Sequence, residues 1–214
     1  MQSLVGLRER KKTETRQAIS TAALELAVAN GPAAVTVEDI AAAANVSQRT
    51  VFNYFPTKEA AMVGHDPERR TELLQYLEGR PADEPPLVAM REALRDLVTP
   101  ELAVLWRTRA RLVRDHPQLQ TTYLASFSSF EDDMTQVMGR RIGLDPATDP
   151  YPRLVVSVAN TAVRVAVNHA IDLRRTAAMN DIIDETFAAL EAGLSRLDNG
   201  RHSPHLRAQR SPRR

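Results

Sequence analysis

A short segment near the amino terminus concentrates side chains that could read nucleic-acid bases. From Gln48 to Phe55 the helical spacing predicts a helix whose inward side includes Val51. Its outward side would carry four groups suited to base edges, which are Gln48, Arg49, Phe52 and Asn53. Arginine can pair with guanine O6 and N7, glutamine and asparagine suit adenine, and an apolar ring can lie against thymine methyl groups. We therefore predict that this helix enters the DNA major groove.

A second set of side chains suits the DNA backbone instead of the bases. Hydroxyl or ammonium groups stand at helix starts and flanks in the same region, at Thr36, Thr50, Tyr54 and Lys58. Contacts to phosphates fix the register and orientation of a protein on the duplex but carry no sequence information. We expect these four residues to hold the backbone while the first set reads bases.

The spacing of caps predicts how this segment folds. Thr36 and Asp39 have the spacing of a capping box, although Asp reaches back less well than Glu. Asn45 falls where the chain must turn sharply, and Asn tolerates a positive φ. Ser47 is a suitable N-cap for the predicted reading helix, and Thr57 for the helix after it. The alternative is an ordinary three-helix packing unit with a solvated polar face.

An amphipathic helix is predicted upstream, from Thr13 to the Gly31-Pro32 break. Its apolar face would consist of Ile19, Ala22, Ala23, Leu26 and Ala27. Residues 1–12 end in a basic cluster and are predicted to form a flexible arm. Such an arm is either a frayed, solvated terminus or a contact to phosphate or the minor groove.

Three stretches of this region together resemble a known family. TRQAISTAALELAVANG, TVEDIAAAANVS and RTVFNYFPTKEAAM resemble the DNA-binding domain of TetR-family transcriptional regulators. Two positions differ from many members: Asn45 replaces Gly, and Phe52 replaces Tyr and so lacks a phenol oxygen. The resemblance implies a homodimer with an amino-terminal helix-turn-helix domain at residues 13–65 and a helical ligand-binding and dimerisation domain at residues 66–197.

The composition narrows the class of protein. Lys and Arg number 28 against 27 Asp and Glu, so any DNA-binding surface must be a local arrangement of charge. The absence of cysteine excludes disulfides, thiolate nucleophiles and Cys-based metal sites. No apolar run comes near the roughly 20 residues that span a bilayer, and no signal-peptide core is present. Helical periodicity with only 8 glycines predicts an all-α, soluble, cytoplasmic protein without a membrane partner.

Catalytic motifs are missing from the sequence. It contains no phosphate-binding glycine loop, no HExxH and no nucleophile elbow, so we predict neither an enzyme nor a bound cofactor or metal. An acid–base pair assembled only in three dimensions is the alternative. The body's helices are predicted at Leu87–Val98, Glu101–Asp115, Gln118–Ile142, Pro152–Leu173 and Asp181–Leu197. Residues 198–214 are basic, rich in Pro, Ser and Arg, and predicted to be disordered.

Two patterns in the body could bind a ligand. The first is a set of flat or flexible apolar side chains at Trp106, Tyr123, Phe127, Phe130 and Met134, typical either of ordinary core or of an apolar pocket. The second is a polar stripe at i+4 spacing on a Val- and Ala-rich helix, formed by Asn160, Arg164, Asn168 and Asp172. The stripe is either a surface ridge or a site where Arg164 meets an anionic or polar ligand group.

A small-residue face predicts a dimer through the last two helices. It comprises Val155, Ala159, Ala162, Ala166 and Ala170, followed by Ile183, Phe187, Leu190 and Leu194. The body also resembles, more loosely, the acyl-CoA-like ligand domain of regulators related to the mycofactocin system. The predicted function is a repressor that binds a pseudo-palindromic operator in double-stranded DNA and is released by a small, largely apolar effector. The alternative is a DNA-binding or architectural protein that senses no ligand.

Overall fold

The computed structural model describes residues 2–64, 67–172 and 179–194, with side chains except at 2–9, 127–129 and 172. Within these ranges the chain is helical and forms no strand, which confirms the predicted all-α fold. The helices are α1 Gln2–Asn30, α2 Val37–Ala43, α3 Gln48–Tyr54, α4 Lys58–Val63, α5 Pro67–Gly79, α6 Pro86–Leu97, α7 Pro100–Asp115, α8 Gln120–Ile142, α9 Tyr151–Asp172 and α10 Met179–Glu191, with a 3-10 turn at Pro117–Leu119 before α8. We call α1–α4 the N-terminal unit and α5–α10 the body.

The first helix begins earlier than its amphipathic pattern predicts. α1 starts at Gln2 instead of Thr13, so the residues expected to form a flexible arm continue the helix. The upstream residues include good helix formers and no proline, and Arg10 forms an i,i+4 ion pair with Glu14 at 3.4 Å. The predicted apolar face is correct: Ile19, Ala22, Ala23 and Ala27 are buried and Leu26 is half-buried.

The local signals around α2 and α3 are confirmed. Thr36 Oγ1 accepts from the Asp39 amide at 3.1 Å, and the Thr36 amide donates to Asp39 Oδ2 at 2.9 Å, which completes the capping box. Asn45 adopts the left-handed conformation with φ 52°. Ser47 Oγ accepts from the Thr50 amide at 3.1 Å and caps α3. These hydrogen bonds fix where the two short helices begin, and Asn45 provides the turn between them.

A glycine separates the N-terminal unit from the body. α4 is capped as predicted, with Thr57 Oγ1 accepting from the Ala60 amide at 3.1 Å, and it ends at Val63. A Cβ on Gly64 would lie 2.2 Å from the Ala60 carbonyl oxygen. A side chain here would have to displace that carbonyl, so this position is suited only to glycine.

Helices α6–α9 agree with the predicted boundaries to within two residues, and α5 had no predicted range. α10 stops at Glu191, short of the predicted Leu197. Gly193 and Leu194 then take positive φ values of 66° and 58°, which end a helix because the left-handed conformation cannot continue it. Residues 195–214, which include the predicted disordered tail, lie outside the described residues.

An arginine pair closes the proline-rich loop between α5 and α6. Arg80 donates to both carboxylate oxygens of Glu84, at 2.9 and 2.6 Å, and this contact lowers the pKa of Glu84. Arg141, from the end of α8, donates to the Arg80 carbonyl at 2.9 Å and the Glu84 carbonyl at 3.2 Å. The loop is thereby attached to the long helix that forms one wall of the body.

The apolar interior consists of two clusters that meet at α7. The body's cluster joins residues of α5–α10, including the fully buried Met134, Ile183 and Phe187. The cluster of the N-terminal unit includes Ile19, Ile40 and Val51, but also Leu112 and Leu119 from the body. The N-terminal unit therefore shares its core with the body instead of closing it alone.

One body helix is more apolar than we predicted from the sequence. Tyr151–Ile171 has a mean hydropathy of 1.4 over its best window, enough to cross a membrane by length and composition alone. In the structure this helix, α9, packs against α7, α8 and α10 and supplies the buried Val156, Ala159 and Ala166 to the core. Such burial is typical of the central helix of a helical domain.

Candidate nucleic-acid interface and ligand cavity

The structure places the four predicted base readers together on the outer face of α3. Gln48, Arg49, Phe52 and Asn53 are all exposed, and Phe52 keeps 54% of its surface accessible. The opposite side of the helix buries Val51, and Phe55 at its end is buried as well. A single exposed apolar side chain is common on protein surfaces, so the relevant observation is that Phe52 shares one helix face with an arginine and two amides. The four side chains are accessible on one helix face, and base reading by them stays a prediction.

The predicted backbone contacts serve the fold as well. Thr36 Oγ1 donates to Asp39 Oδ2 at 2.7 Å, and its two hydrogen bonds to that carboxylate lower the pKa of Asp39. Thr50 Oγ1 lies 2.8 Å from Ser47 Oγ. Both hydroxyls are therefore oriented by the caps of their own helices. A phosphate accepts hydrogen bonds, so Thr36 would have to release its O–H from Asp39 to contact one, whereas Thr50 can donate to a phosphate when Ser47 is the donor between the two hydroxyls.

Lys58 also forms hydrogen bonds within the fold, which the sequence did not indicate. Its ammonium donates to the Pro32 carbonyl at 3.1 Å and to the Val35 carbonyl at 2.7 Å. Both acceptors lie in the loop between α1 and α2, so Lys58 at the start of α4 ties that loop down. An ammonium has three N–H donors, so the third could still reach a phosphate.

Arg16 is a further residue of this region, and its role was not predicted from the sequence. Its guanidinium carbon lies 4.8 Å from the centre of the Phe55 ring and 5.7 Å from that of Tyr54. A cation this close to an aromatic face is attracted by the ring quadrupole. Arg16 therefore packs α1 onto the end of α3, and Tyr54, predicted as a phosphate contact, is half-buried beneath it. Only its position within the TetR-like segment could have drawn attention to it.

A cavity of about 80 Å³ lies inside the body between α5, α6, α7, α8 and α9. Five of the predicted ligand residues line it, namely Trp106, Tyr123, Phe130, Asn160 and Arg164, and their role in ligand binding stays a prediction. Leucines and valines from α5, α6, α7 and α9 complete most of the wall.

The other three predicted ligand residues are not part of this lining. Met134 is fully buried in the body's core, one helical turn beyond Phe130. Asn168 lies one helical turn beyond Arg164 and lines a neighbouring open groove instead. The side chain of Phe127 lies outside the described residues.

Three arginines in the lining were not predicted: Arg69, Arg70 and Arg109. Arg69 pairs with Glu72 at 2.8 Å, and Arg70 pairs with Asp133 of α8. Arg69 and Arg70 lie on α5, where the sequence patterns predicted no ligand-binding residue. The cavity is therefore bordered by more positive charge than the sequence pattern indicated.

Arg109 joins the cavity to the N-terminal unit. It is 93% buried, lines the cavity from α7, and donates from Nη2 to Ser20 Oγ on α1 at 2.8 Å. Ser20 Oγ in turn donates to the Ala61 carbonyl of α4 at 2.8 Å. Three helices are thus linked through one hydroxyl. Residues 20 and 109 are too far apart in sequence for any local pattern to predict this contact.

Family models match both parts of the chain. The model described as "Bacterial regulatory proteins, tetR family" matches residues 19–61, and the one described as "MftR C-terminal domain" matches residues 84–195, more than half of the sequence. The chain belongs to the TetR family of bacterial transcriptional regulators. This confirms the resemblance of the α2–α3 segment, and it places the protein among DNA-binding regulators instead of enzymes.

Individual relatives agree with this TetR-family assignment. The HTH-type transcriptional regulator TcmR of Streptomyces glaucescens is 35% identical over 175 residues, covering 75% of this chain and 74% of that protein. MftR of Mycobacterium tuberculosis, a proposed mycofactocin biosynthesis transcriptional regulator, is 28% identical over 197 residues, covering 88% and 96%. A crystal structure of a proposed TetR-family regulator from Mesorhizobium loti shares the fold, with a TM-score of 0.50 and 18% identity, over 84% of this chain and 95% of that one.

The predicted dimer face of this TetR-family chain is wrong for seven of its nine residues, while Leu190 is half-buried and Leu194 is exposed. Val155, Ala159, Ala162, Ala166 and Ala170 are buried inside the chain's own body, as are Ile183 and Phe187. Small residues allow close helix approach, and here α7, α8 and α10 of the same chain make that approach. The outward side of α9 instead carries Leu154 and Val165, which are 58% and 51% exposed, with Val158 and Thr161 between them.

We predict that Lys58→Met lowers the free energy of unfolding by about 1–3 kcal/mol, because the loop carbonyls of residues 32 and 35 lose their charged donor. Urea denaturation measures this change. Lys11→Met, which removes an exposed lysine of α1, serves as the control and should leave stability unchanged. If Lys58→Met keeps full stability and only flattens the salt dependence of DNA binding, the ammonium serves the phosphate contact alone.

Proposed function

We propose that the protein is a cytoplasmic, ligand-responsive repressor that binds a pseudo-palindromic operator as a homodimer and loses operator affinity when an effector occupies the body. The observation that supports ligand response best is Arg109, which lines the cavity and hydrogen-bonds to α1 of the N-terminal unit. A helix-turn-helix that only tethered DNA would not need a buried arginine between a cavity and its DNA-reading part.

Recognition of DNA bases is assigned to the exposed side of α3. Arg49 would pair with guanine, Gln48 and Asn53 with adenine, and Phe52 would contact thymine methyl groups. Thr36, Thr50, Tyr54 and Lys58 would hold phosphates on either side. In a symmetric dimer the two α3 helices would enter major grooves about one DNA turn apart, roughly 34–36 Å, which accounts for a pseudo-palindromic site.

The dimer would form through the outward faces of α9 and α10. Leu154, Val158, Thr161 and Val165 follow a 4-3-4 spacing, which is typical of a seam between packed helices. α10 presents the exposed Ala188 together with acidic side chains. Leu154 and Val165 are large apolar groups exposed on one helix face, and a symmetry mate would remove both from water.

Effector binding would move the N-terminal unit because the cavity is too small as it stands. Its volume of about 80 Å³ is well below the roughly 300–1,000 Å³ of typical ligand sites. A ligand must therefore displace lining residues, and Arg109 is one of them. The conformation with the enlarged cavity would bind effector more tightly and operator more weakly, with a coupling of typically about 1–3 kcal/mol.

The class of function is tested by selecting bound fragments from random DNA with the purified protein, and Arg49 is tested on the selected site. We predict that Arg49→Ala weakens binding to that site by about 1–3 kcal/mol while binding to random DNA changes little, because a base contact is lost. Arg153→Ala, on the exposed side of α9, is the matched control. Equal losses on both DNAs would exclude base reading by Arg49, and failure to recover a palindromic site would contradict the dimeric reader.

We predict that Val165→Glu shifts the dimer dissociation constant upward by at least about tenfold, since each interface would have to bury two unpaired carboxylates. Analytical ultracentrifugation measures the shift. Val104→Glu places the same charge at an exposed valine of α7, 53% accessible, and should leave the dimer intact. If both variants remain dimeric, the seam lies on another surface.

The link through Arg109 is tested by a double-mutant cycle. Ser20→Ala removes the shared hydroxyl, so we predict faster amide exchange in α4, and adding Arg109→Met should accelerate it little further because the two residues act through one contact. Hydrogen–deuterium exchange by mass spectrometry is the measurement. Thr21→Ala, at the exposed neighbour, controls for the loss of a hydroxyl from α1. Fully additive effects of the two substitutions would show that they do not communicate.

A further inference from the structure

The cavity in the body adjoins a second, wider space. An open groove of about 440 Å³ lies between the end of α7, the start of α8 and the middle of α9. Three residues, Tyr123, Arg164 and Val167, line both the groove and the cavity. They form the boundary between a narrow, largely apolar space and a wider, more open one.

The polar stripe of α9 crosses this boundary. Asn160 lines only the cavity, Arg164 lines both spaces, and Asn168 lines only the groove. Successive members are four residues apart, which corresponds to about 6 Å along a helix axis. The stripe is therefore a row of side chains that leads from the inside of the body to its surface.

The two spaces present hydrogen-bond donors and positive charge without carboxylates. Among the described residues, no Asp or Glu lines either one. Arg164 makes no hydrogen bond or ion pair within the described part of the chain, whereas Arg69 and Arg70 are paired with carboxylates. Asn160 Nδ2 is buried and has no hydrogen-bond acceptor among the described residues. A buried donor without an acceptor is costly, so a ligand that supplies acceptors would be favoured at this point.

The Tyr123 hydroxyl adds to this set of donors. Burial raises the pKa of the phenol, and the positive charges of Arg109 and Arg164 lower it by a smaller amount. The group is therefore protonated at neutral pH and can donate a hydrogen bond.

We propose that the effector is an amphipathic anion, a carboxylate or phosphate attached to an apolar body, that binds with its acidic head at Arg164 and its apolar part inside the cavity. This deepens, and rests on, the proposed ligand-responsive function. The leucines, Trp106 and Phe130 of the cavity suit the apolar part, and the groove keeps the charged head in contact with water. An amine would meet only positive charge at this mouth, and a neutral alcohol would leave Arg164 without a counter-charge.

The chain contains a single tryptophan, Trp106, and it lines the cavity, so its fluorescence reports occupancy directly. The full-length protein is titrated with octanoate, octyl phosphate, octanol and octylamine, and then with hexanoate and butyrate. The expected result is that at least one of the two anions binds about tenfold or more tightly than octanol and octylamine, as a charge-assisted hydrogen bond implies. Comparison of octanoate with octyl phosphate identifies the head group. Equal affinity for octanol, a preference for octylamine, or no response to any of the probes would overturn the proposal.

Variants of Arg164 test the placement of the head. Arg164→Gln should bring the ratio of anion to octanol affinity close to one, and Arg164→Glu should turn the preference toward octylamine. Arg153→Gln, at an exposed arginine on the same helix, should keep the wild-type ratio. An unchanged ratio in both Arg164 variants would place the head elsewhere and overturn the assignment.

The outcome can be separated from that of the proposed function. If a palindromic site is recovered from random DNA but no anion is preferred, the proposed repressor function stands and the proposed ligand class is wrong. If the protein binds the anions but selects no operator from random DNA, the proposed ligand class stands and the proposed operator binding is wrong.

Discussion

The position of the reading helix depends on a core that the N-terminal unit does not complete by itself. α3 has only seven residues, and helices of this length are not stable without tertiary packing. Its orientation rests on the burial of Val51 and Phe55 in a cluster that also contains Leu112 and Leu119 of the body. Removing either leucine from that cluster would expose apolar surface on both sides. The reading face therefore cannot be positioned independently of α7 and the turn that follows it.

Arg109 adds a directional contact to this apolar junction. Apolar contacts tolerate small sliding motions, but a buried guanidinium needs hydrogen-bond acceptors in particular positions. Its bond to Ser20, which itself donates to Ala61, ties the cavity wall to α1 and α4 at one place. A change in the side-chain position of Arg109 must either break this contact or move the two helices. The same residue thus gives a physical reason for the body to influence the spacing of two reading helices in a dimer.

The parts that could be predicted from the sequence are those governed by short-range chemistry. The Thr36–Asp39 box, the left-handed Asn45 and the cap at Ser47 each involve residues at most a few positions apart, and all were correct. Periodicity also showed that the alanine side of α9 is buried, but not against which surface, so an internal contact was taken for a dimer contact. The carbonyl partners of Lys58 lie 26 and 23 residues away, and Ser20 lies 89 residues from Arg109. Contacts at such separations follow from how helices pack, which no local pattern contains.

Helix α9 combines three roles, in the core, at the cavity and on the outer surface. Its alanine face packs in the core, its Asn160–Arg164–Asn168 row borders the cavity and groove, and its Leu154–Val165 row points outward. Because successive residues turn by about 100°, three rows fit around one helix without sharing residues. The core row and the outward row are both largely apolar, which explains a hydropathy high enough to suggest a membrane span. In the proposed dimer, a ligand at the polar row would touch the helix that also contacts the partner subunit. Occupancy could then alter the subunit arrangement through a shift of this one element, while Arg109 carries the change to the reading unit.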